Sequence, residues 1–113
     1  MHHLFNFDFV RYDKRDLKGG HPYGGYPKRG EFFFVEENGQ RLAEITFFKS
    51  GVHEITVDHT VVSDKLRGQK VGNALLEKVV AFAREENLKI VPVCSFVQQQ
   101  FEKHAEYADV WAK

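Results

Sequence analysis

The sequence lacks most of the features that would assign it to a specialised class. It holds a single cysteine, Cys94, which excludes an internal disulfide and any zinc site built from several thiolates. A lone thiol fits a reducing compartment, so the chain reads as cytoplasmic. No apolar run approaches the ~20 residues that a membrane helix needs, and the first residues carry no apolar signal-peptide core. Net charge is absent as well, since 16 Lys/Arg balance 16 Asp/Glu. That removes the broad field expected of a nucleic-acid or anionic-membrane binder. Residues 1–30 hold six basic against three acidic side chains, an excess too small to name a partner. His21, His53 and His104 show no ligand spacing with one another, so no metal site is expected.

What remains is one domain's worth of ordinary globular sequence with a distinct beginning. In 113 residues, 42% hydrophobic and 28% charged, there is room for one modest core. Residues 1–30 form an arm or linker. "LFNFDFV" alternates Phe5, Phe7 and Phe9 on one side and predicts a short strand. "KGGHPYGGYPKRG" then reads as an irregular connection. Its Tyr23, Tyr26, Lys28 and Arg29 have the composition of a ligand or RNA contact, and equally that of a solvated linker. His2 and His3 are native residues or the remnant of a tag.

From residue 31 the pattern becomes regular and predicts a single α/β domain, residues 31–113. Two apolar runs flank Asn38-Gly39, the strongest short hairpin signal because both positions tolerate positive φ. Ser50-Gly51 marks the next turn. "HEITVDHTVV" then alternates, placing Ile55, Val57, His59 and Val61 on one face and Glu54, Thr56, Asp58 and Thr60 on the other. These three strands predict an antiparallel meander. Val71, Leu75, Val79 and Phe82 recur at helical spacing, flanked by Leu76, Val80 and Ala83, and Asn87 ends that helix. "LKIVPVC" reads as a strand buried on both faces. The order predicts a βαβ unit, with residues 53–62 and 88–94 parallel and joined by a right-handed crossover. An amphipathic segment, Phe96 to His104, follows.

The chemistry concentrates where the helix begins. "DKLRGQKVG" puts Arg67, Gly68, Gln69, Lys70 and Gly72 at the helix entrance, and its glycines nucleate a helix poorly. A loop that leaves a strand and enters a helix presents free N–H groups at the positive end of the helix dipole. Two glycines admit a ligand to the backbone, and Arg67 and Lys70 add charge, so the segment suits phosphate. The glycines would serve a plain charged turn as well. Neither a P-loop nor a dinucleotide fingerprint is present.

"RGQKVGNALL" resembles the pyrophosphate loop of the GNAT acetyltransferase superfamily, Arg/Gln-x-x-Gly-x-Gly/Ala. "DHTVVSDKLRGQKVG", "NLKIVPVCSF" and "YADV" further resemble its small stand-alone GNAT-like members, whose shortened fold lacks the first two helices. The resemblance covers residues 31–113. It implies an acyl-CoA N-acyltransferase fold, a meander leading into splayed parallel strands, and acetyl-CoA as cosubstrate. Arg67, Gly68, Gln69, Lys70, Val71 and Gly72 would wrap the pyrophosphate, and the backbone of Val61 and Val62 would pair with the pantetheine arm. Lys70 stands where the motif usually has glycine. Either its ammonium reaches a phosphate, or a position needing positive φ is strained by about 1 kcal/mol or more.

Pro92 lacks a ladder donor and marks either the end of pairing, where the cofactor would enter, or an edge strand. Cys94 follows it and should face that opening, with His59 on the neighbouring strand as a base that favours the thiolate. In the small family this cysteine has been regarded as a possible acetyl acceptor. A buried, packing cysteine and a core histidine are the alternatives. Most superfamily enzymes transfer directly to an amine with a general base, a role Glu54 or Asp58 could fill through water, with Tyr107 protonating the departing thiolate. The expected function is acetyl transfer from acetyl-CoA to an amine. A non-catalytic CoA-binding or interaction module ranks second, and an RNA binder using the arm ranks last.

Overall fold

In the computed structural model the described residues are 9–13 and 31–113. The readings made for Phe5, Phe7 and the histidines, tyrosines and basic residues of 14–30 lie outside them. Five strands form one sheet in chain order: β1 Phe9–Asp13, β2 Glu31–Glu37, β3 Gln40–Gly51, β4 Glu54–Val62 and β5 Lys89–Pro92. The first four pair antiparallel and β4 pairs with β5 in parallel. Asn38 and Gly39 both take positive φ, 53° and 77°, which is the two-residue turn that their sequence predicts. The next turn falls later than expected. Gly51 pairs with Glu54, so Val52 and His53 make the turn and Ser50-Gly51 remain strand.

Helix α1, Val71–Glu86, crosses from β4 to β5 and packs on β2, β3, β4 and β5. Its apolar stripe is the expected one: Val71, Leu75, Leu76, Val79, Val80 and Ala83 are buried. Asn87 closes it in the left-handed conformation, φ 58°, its N–H reaching the Ala83 and Arg84 carbonyls, a role Asn fills at little cost. Helix α2, Ser95–Lys103, and a 3-10 turn, Ala105–Val110, complete the layer over the sheet. Asn73 of α1 donates to the Gln100 side chain of α2 at 2.9 Å. On the far side of β5, among the described residues, only a bridge from Ile90 to Trp111 extends the sheet. No helix among the described residues is long and apolar enough to cross a membrane.

One irregularity sets the geometry of everything beyond it. Thr46 pairs with His59 but Phe47 pairs with Val57, so Asp58 is an extra residue in β4. Such a bulge advances the strand by one residue, and every later side chain changes face. Phe47 lies 5.5 Å from Phe82 of α1, which puts Phe47, Ile55 and Val57 on the helix side. Beyond the bulge Thr60 pairs with Ile45 and Val62 with Ala43, so these two take the helix side. His59 and Val61 turn to the opposite face. The alternation expected to run unbroken from Ile55 to Val61 is therefore corrected after Val57.

Candidate functional site

The bulge re-aims the main chain as well as the side chains. Ser63 N–H donates to the Leu42 carbonyl at 2.7 Å, so alternate residues back along β4, Val61 and His59, face β3 with their peptide groups. Val61 therefore spends its backbone on the β3 ladder. Thr60 and Val62 point theirs the other way, toward β5. There they meet an opening, because pairing with β5 stops at Val57 and Pro92. The Val57 carbonyl accepts from both Val93 N–H and Cys94 N–H, each at 3.1 Å, and from that point the strands diverge. Pro92 satisfies both of its sequence readings: β5 is the last strand and Pro92 is its last paired residue.

Past Val62 the chain folds into the loop that starts α1. Ser63 caps a 3-10 turn, Asp64–Leu66, by accepting from Lys65 N–H at 3.2 Å. Leu66 is buried and anchors it. Arg67 N–H bonds to the Asp64 carbonyl and Gln69 N–H to that of Leu66, both at 3.2 Å. The Gln69 side chain returns to the Lys65 carbonyl at 3.4 Å. Gln69 thus holds the loop together from inside. By contrast the N–H groups of Gly68, Lys70, Val71, Gly72 and Asn73 have no partner among the described residues, the first helical bond being Ala74 N–H to the Lys70 carbonyl at 3.1 Å. No acidic residue stands in the first turn of α1, so nothing offsets the positive end of its dipole.

Gly68 and Lys70 both take left-handed backbone, φ 82° and 60°. At Gly68 this is the reason for the glycine. At Lys70, the residue immediately before α1, it is a strained conformation for a side-chain-bearing residue. The position where the motif usually carries glycine is one that glycine would adopt freely. Gly72 has a different reason. A Cβ there would lie 3.3 Å from the Phe96 ring, so this glycine admits a close packing of α2 against the start of α1. Loop, strand end and Phe96 together line an open cavity of about 580 Å³, with Thr60, Val62, Arg67, Gly68, Lys70 and Gly72 among its walls. Arg67 is exposed and is held by Asp64, Nε to Oδ1 2.6 Å.

The residues expected to carry chemistry are distributed differently from their prediction. Cys94 is half-buried and its Sγ lies 3.5 Å from Thr60 Oγ1. His59 does not meet it, because the bulge sends the imidazole to the opposite face of the sheet. On that face Asp58 accepts from Thr46 Oγ1 at 2.6 Å, so Asp58 lies beside His59 rather than across the strand from it. Glu54 sits at the closed end of β4, paired with Lys89 and Gly51, away from the opening. Tyr107 is buried and donates to Glu77 Oε2 at 2.6 Å. Burial and that carboxylate push its phenol well above the ordinary range, and the hydroxyl proton is committed to α1 instead of to a leaving thiolate. Among the described residues no three metal-ligating side chains cluster.

Three residues were missed from sequence. Thr60 replaces Val61 as the strand's opening-facing peptide and is the polar contact of Cys94. Phe96 walls the cavity. Glu44 is 3% exposed and faces Arg41 Nη1 at 3.3 Å. Burial holds its carboxyl above the usual range, with Arg41 and His59 pulling the other way. A lone acid inside the apolar run "LAEITFF" was the available signal for Glu44. The adjacent polar pair Asp58-His59 was the available signal for the bulge.

The comparisons agree with this geometry. A family model described as GCN5-related N-acetyl-transferase matches residues 31–110. A GCN5-like protein of Staphylococcus aureus, solved in solution, is 46% identical, covering 72% of this chain and 80% of that one at a TM-score of 0.62. Escherichia coli ElaA shares the fold at 15% identity, TM-score 0.64, over 83% of this chain and 85% of its own. So does a GNAT family acetyltransferase of Elizabethkingia anophelis solved with acetyl-CoA bound, at 16% identity, TM-score 0.60, over 84% and 73%. No curated protein matches the chain. A sheet that opens beside a helix entrance with unpaired N–H groups, matched over residues 31–110, places this chain in the GCN5-related N-acetyltransferase family.

Proposed function

We propose that the protein transfers an acetyl group from acetyl-CoA to an amine. The observation that carries this reading is the set of N–H groups of Gly68 and of Lys70 to Asn73, unpartnered among the described residues, at one end of a cavity lined by the end of β4. Such a set, at an uncompensated helix N-terminus, is a phosphate site. In this reading the pyrophosphate lies on Gly68, Lys70, Val71 and Gly72, with Arg67 and Lys70 supplying charge and Gln69 shaping the loop. The pantetheine arm runs along the peptide groups of Thr60 and Val62, and Val61 supports them through β3. When bound, acetyl-CoA supplies the activated acyl group.

The covalent route through Cys94 loses the base expected for it, because His59 lies on the opposite face of the sheet and the polar contact of the sulfur is the Thr60 hydroxyl. Direct attack by the amine fits the arrangement better. We assign His59 the role of proton acceptor for the incoming amine: it is exposed on the face opposite α1, the side from which an amine would reach the gap between the diverging strands, and imidazole is the usual acid–base side chain. Cys94 is then a packing residue beside Thr60.

Acetyl-CoA titrated calorimetrically should bind one to one, and an amine panel monitored for released CoA thiol should show turnover that His59→Ala lowers about 100-fold, the usual scale of one acid–base group. Binding without turnover on any amine would reduce the protein to a CoA-binding module. Intact-mass detection of an acetyl adduct that Cys94→Ala removes, with its formation required for turnover, would restore the covalent route.

A further inference from the structure

Helix α1 begins without the local devices that usually hold a first turn. Lys70, the residue before it, makes no side-chain cap and stands in the left-handed conformation. No acid sits in the first turn, and its second residue is Gly72, the type that weakens a helix most after proline. A Ser or Asp cap would steady such an end by accepting from the N–H groups of the first turn. Here those groups must stay free if an anion is to use them. The turn is held from outside instead. Phe96 and Gln100, four residues apart and so on one face of α2, meet Gly72 and Asn73. A Cβ on Gly72 would lie 3.3 Å from the Phe96 ring, and Asn73 Nδ2 donates to Gln100 Oε1 at 2.9 Å. Gln100 is only 8% exposed, and an amide so buried is unfavourable unless it is hydrogen-bonded. Its helix is anchored in turn, by Cys94 N–H on the Val57 carbonyl and by the buried Val97 and Phe101.

We infer that Gln100 is a positioning residue for the phosphate site, acting through Asn73, and that this amide pair takes the place of an N-cap. The inference rests on the cofactor reading above. An apolar contact alone would let the first turn rotate or fray, whereas a buried hydrogen bond fixes direction as well as distance. With its side chain tied to α2, Asn73 holds the turn that carries its own N–H and those of Val71 and Gly72. No donor of that turn is consumed in doing so. Gln100 touches no ligand in this role; it keeps the donors in the orientation that an anion meets.

Gln100→Leu removes the hydrogen bond with little change of volume, and Asn73→Ala removes it from the other side with a strong helix former. Calorimetry with CoA should show each variant weaker than wild type by about tenfold, the upper end of what one hydrogen bond is worth when converted to affinity. The double variant should bind no more weakly than either single one, because both delete the same contact. Backbone ¹⁵N order parameters should fall at Val71, Gly72 and Asn73 and stay unchanged in the sheet, while the thermal midpoint moves by no more than about 5 °C. A residue that merely packs would move the midpoint and leave affinity and local order alone. Asn73→Ala keeps the test decisive if Gln100→Leu does not fold. Wild-type binding of CoA with affinity unmoved in the folded variants overturns this inference alone. Failure of the wild-type protein to bind CoA overturns the cofactor reading and this role together.

Discussion

The two halves of β4 share one strand and differ in every other respect. From Glu54 to Val57 it is paired on both edges, with β3 and with β5, and its apolar side chains Ile55 and Val57 are fully buried. From His59 to Val62 it has a neighbour on one edge only, and its side chains are exposed or half-buried. Between them stands the single extra residue Asp58. The first half is a core element whose worth is hydrophobic burial. The second half exchanges that burial for peptide groups turned toward a cavity. Core burial and the edge of the cavity are thus separated along one strand by one residue, and substitutions can be aimed at either side of it.

The largest effect is expected on the open side. Gly72→Asp would place a carboxylate among the N–H groups proposed to hold phosphate and press on Phe96. Acetyl-CoA affinity should fall by at least 100-fold, as removal or reversal of a buried charge-assisted contact does. A folded Gly72→Asp protein with unchanged calorimetric affinity would place the phosphates elsewhere. On the closed side, Ile55→Ala should lower stability by about 3 kcal/mol, the cost of truncating a buried aliphatic side chain. Its effect should appear in urea denaturation and leave acetyl-CoA affinity within a factor of a few. Comparable losses of stability and affinity would mean that the halves are not independent.

Lys70 sharpens the comparison at the loop. Releasing its left-handed backbone with Lys70→Gly should raise stability by about 1 kcal/mol. If its ammonium also contacts phosphate, the same variant should bind acetyl-CoA more weakly, and the deficit should shrink with added salt. Gain in stability with loss of affinity would show one residue serving the open half at the expense of the fold. The smallest effect lies furthest away. Asp109 binds Arg84 at 2.9 Å and 3.0 Å, and the guanidinium holds its carboxyl below the ordinary value of 3.8. A carboxyl lowered in the folded state contributes stability above its ordinary pKa and loses it as pH falls. The destabilisation caused by Asp109→Asn should therefore be measurable at neutral pH and vanish in acid below that value. Cofactor affinity at neutral pH should not change.

The legible parts of the molecule were those written in repeated or local signals. Helix α1 announced itself by six buried positions at helical spacing and by the Asn that ends it. Asn38-Gly39 marked its turn because the conformation needed there is one that few residue pairs tolerate. The helix entrance was legible because glycines and basic residues interrupt an otherwise good helical pattern for a reason visible in their chemistry. The arrangement around Cys94 was not legible. A β-bulge costs one residue and has no composition of its own, so alternation read through Asp58 carried His59 to the wrong face. Tyr107 was misread for a similar reason. Its contact with Glu77 joins residues far apart in sequence, and no local pattern predicts which acid will receive a phenol's proton.

The loop between β4 and α1 is complete before any ligand arrives. Leu66 is sunk in the core, Ser63 caps the turn, and the peptide and side chain of Gln69 tie it to Leu66 and Lys65. A ligand that docks on such a surface orders almost no chain, so little conformational entropy is subtracted from its contacts. Association should then proceed as a rigid encounter, with a rate set by diffusion and by the fields of Arg67 and Lys70, and affinity differences between variants should appear mainly in how fast the ligand leaves. Cutting the internal ties of Gln69 would convert that encounter into coupled folding, and slow arrival would be its signature.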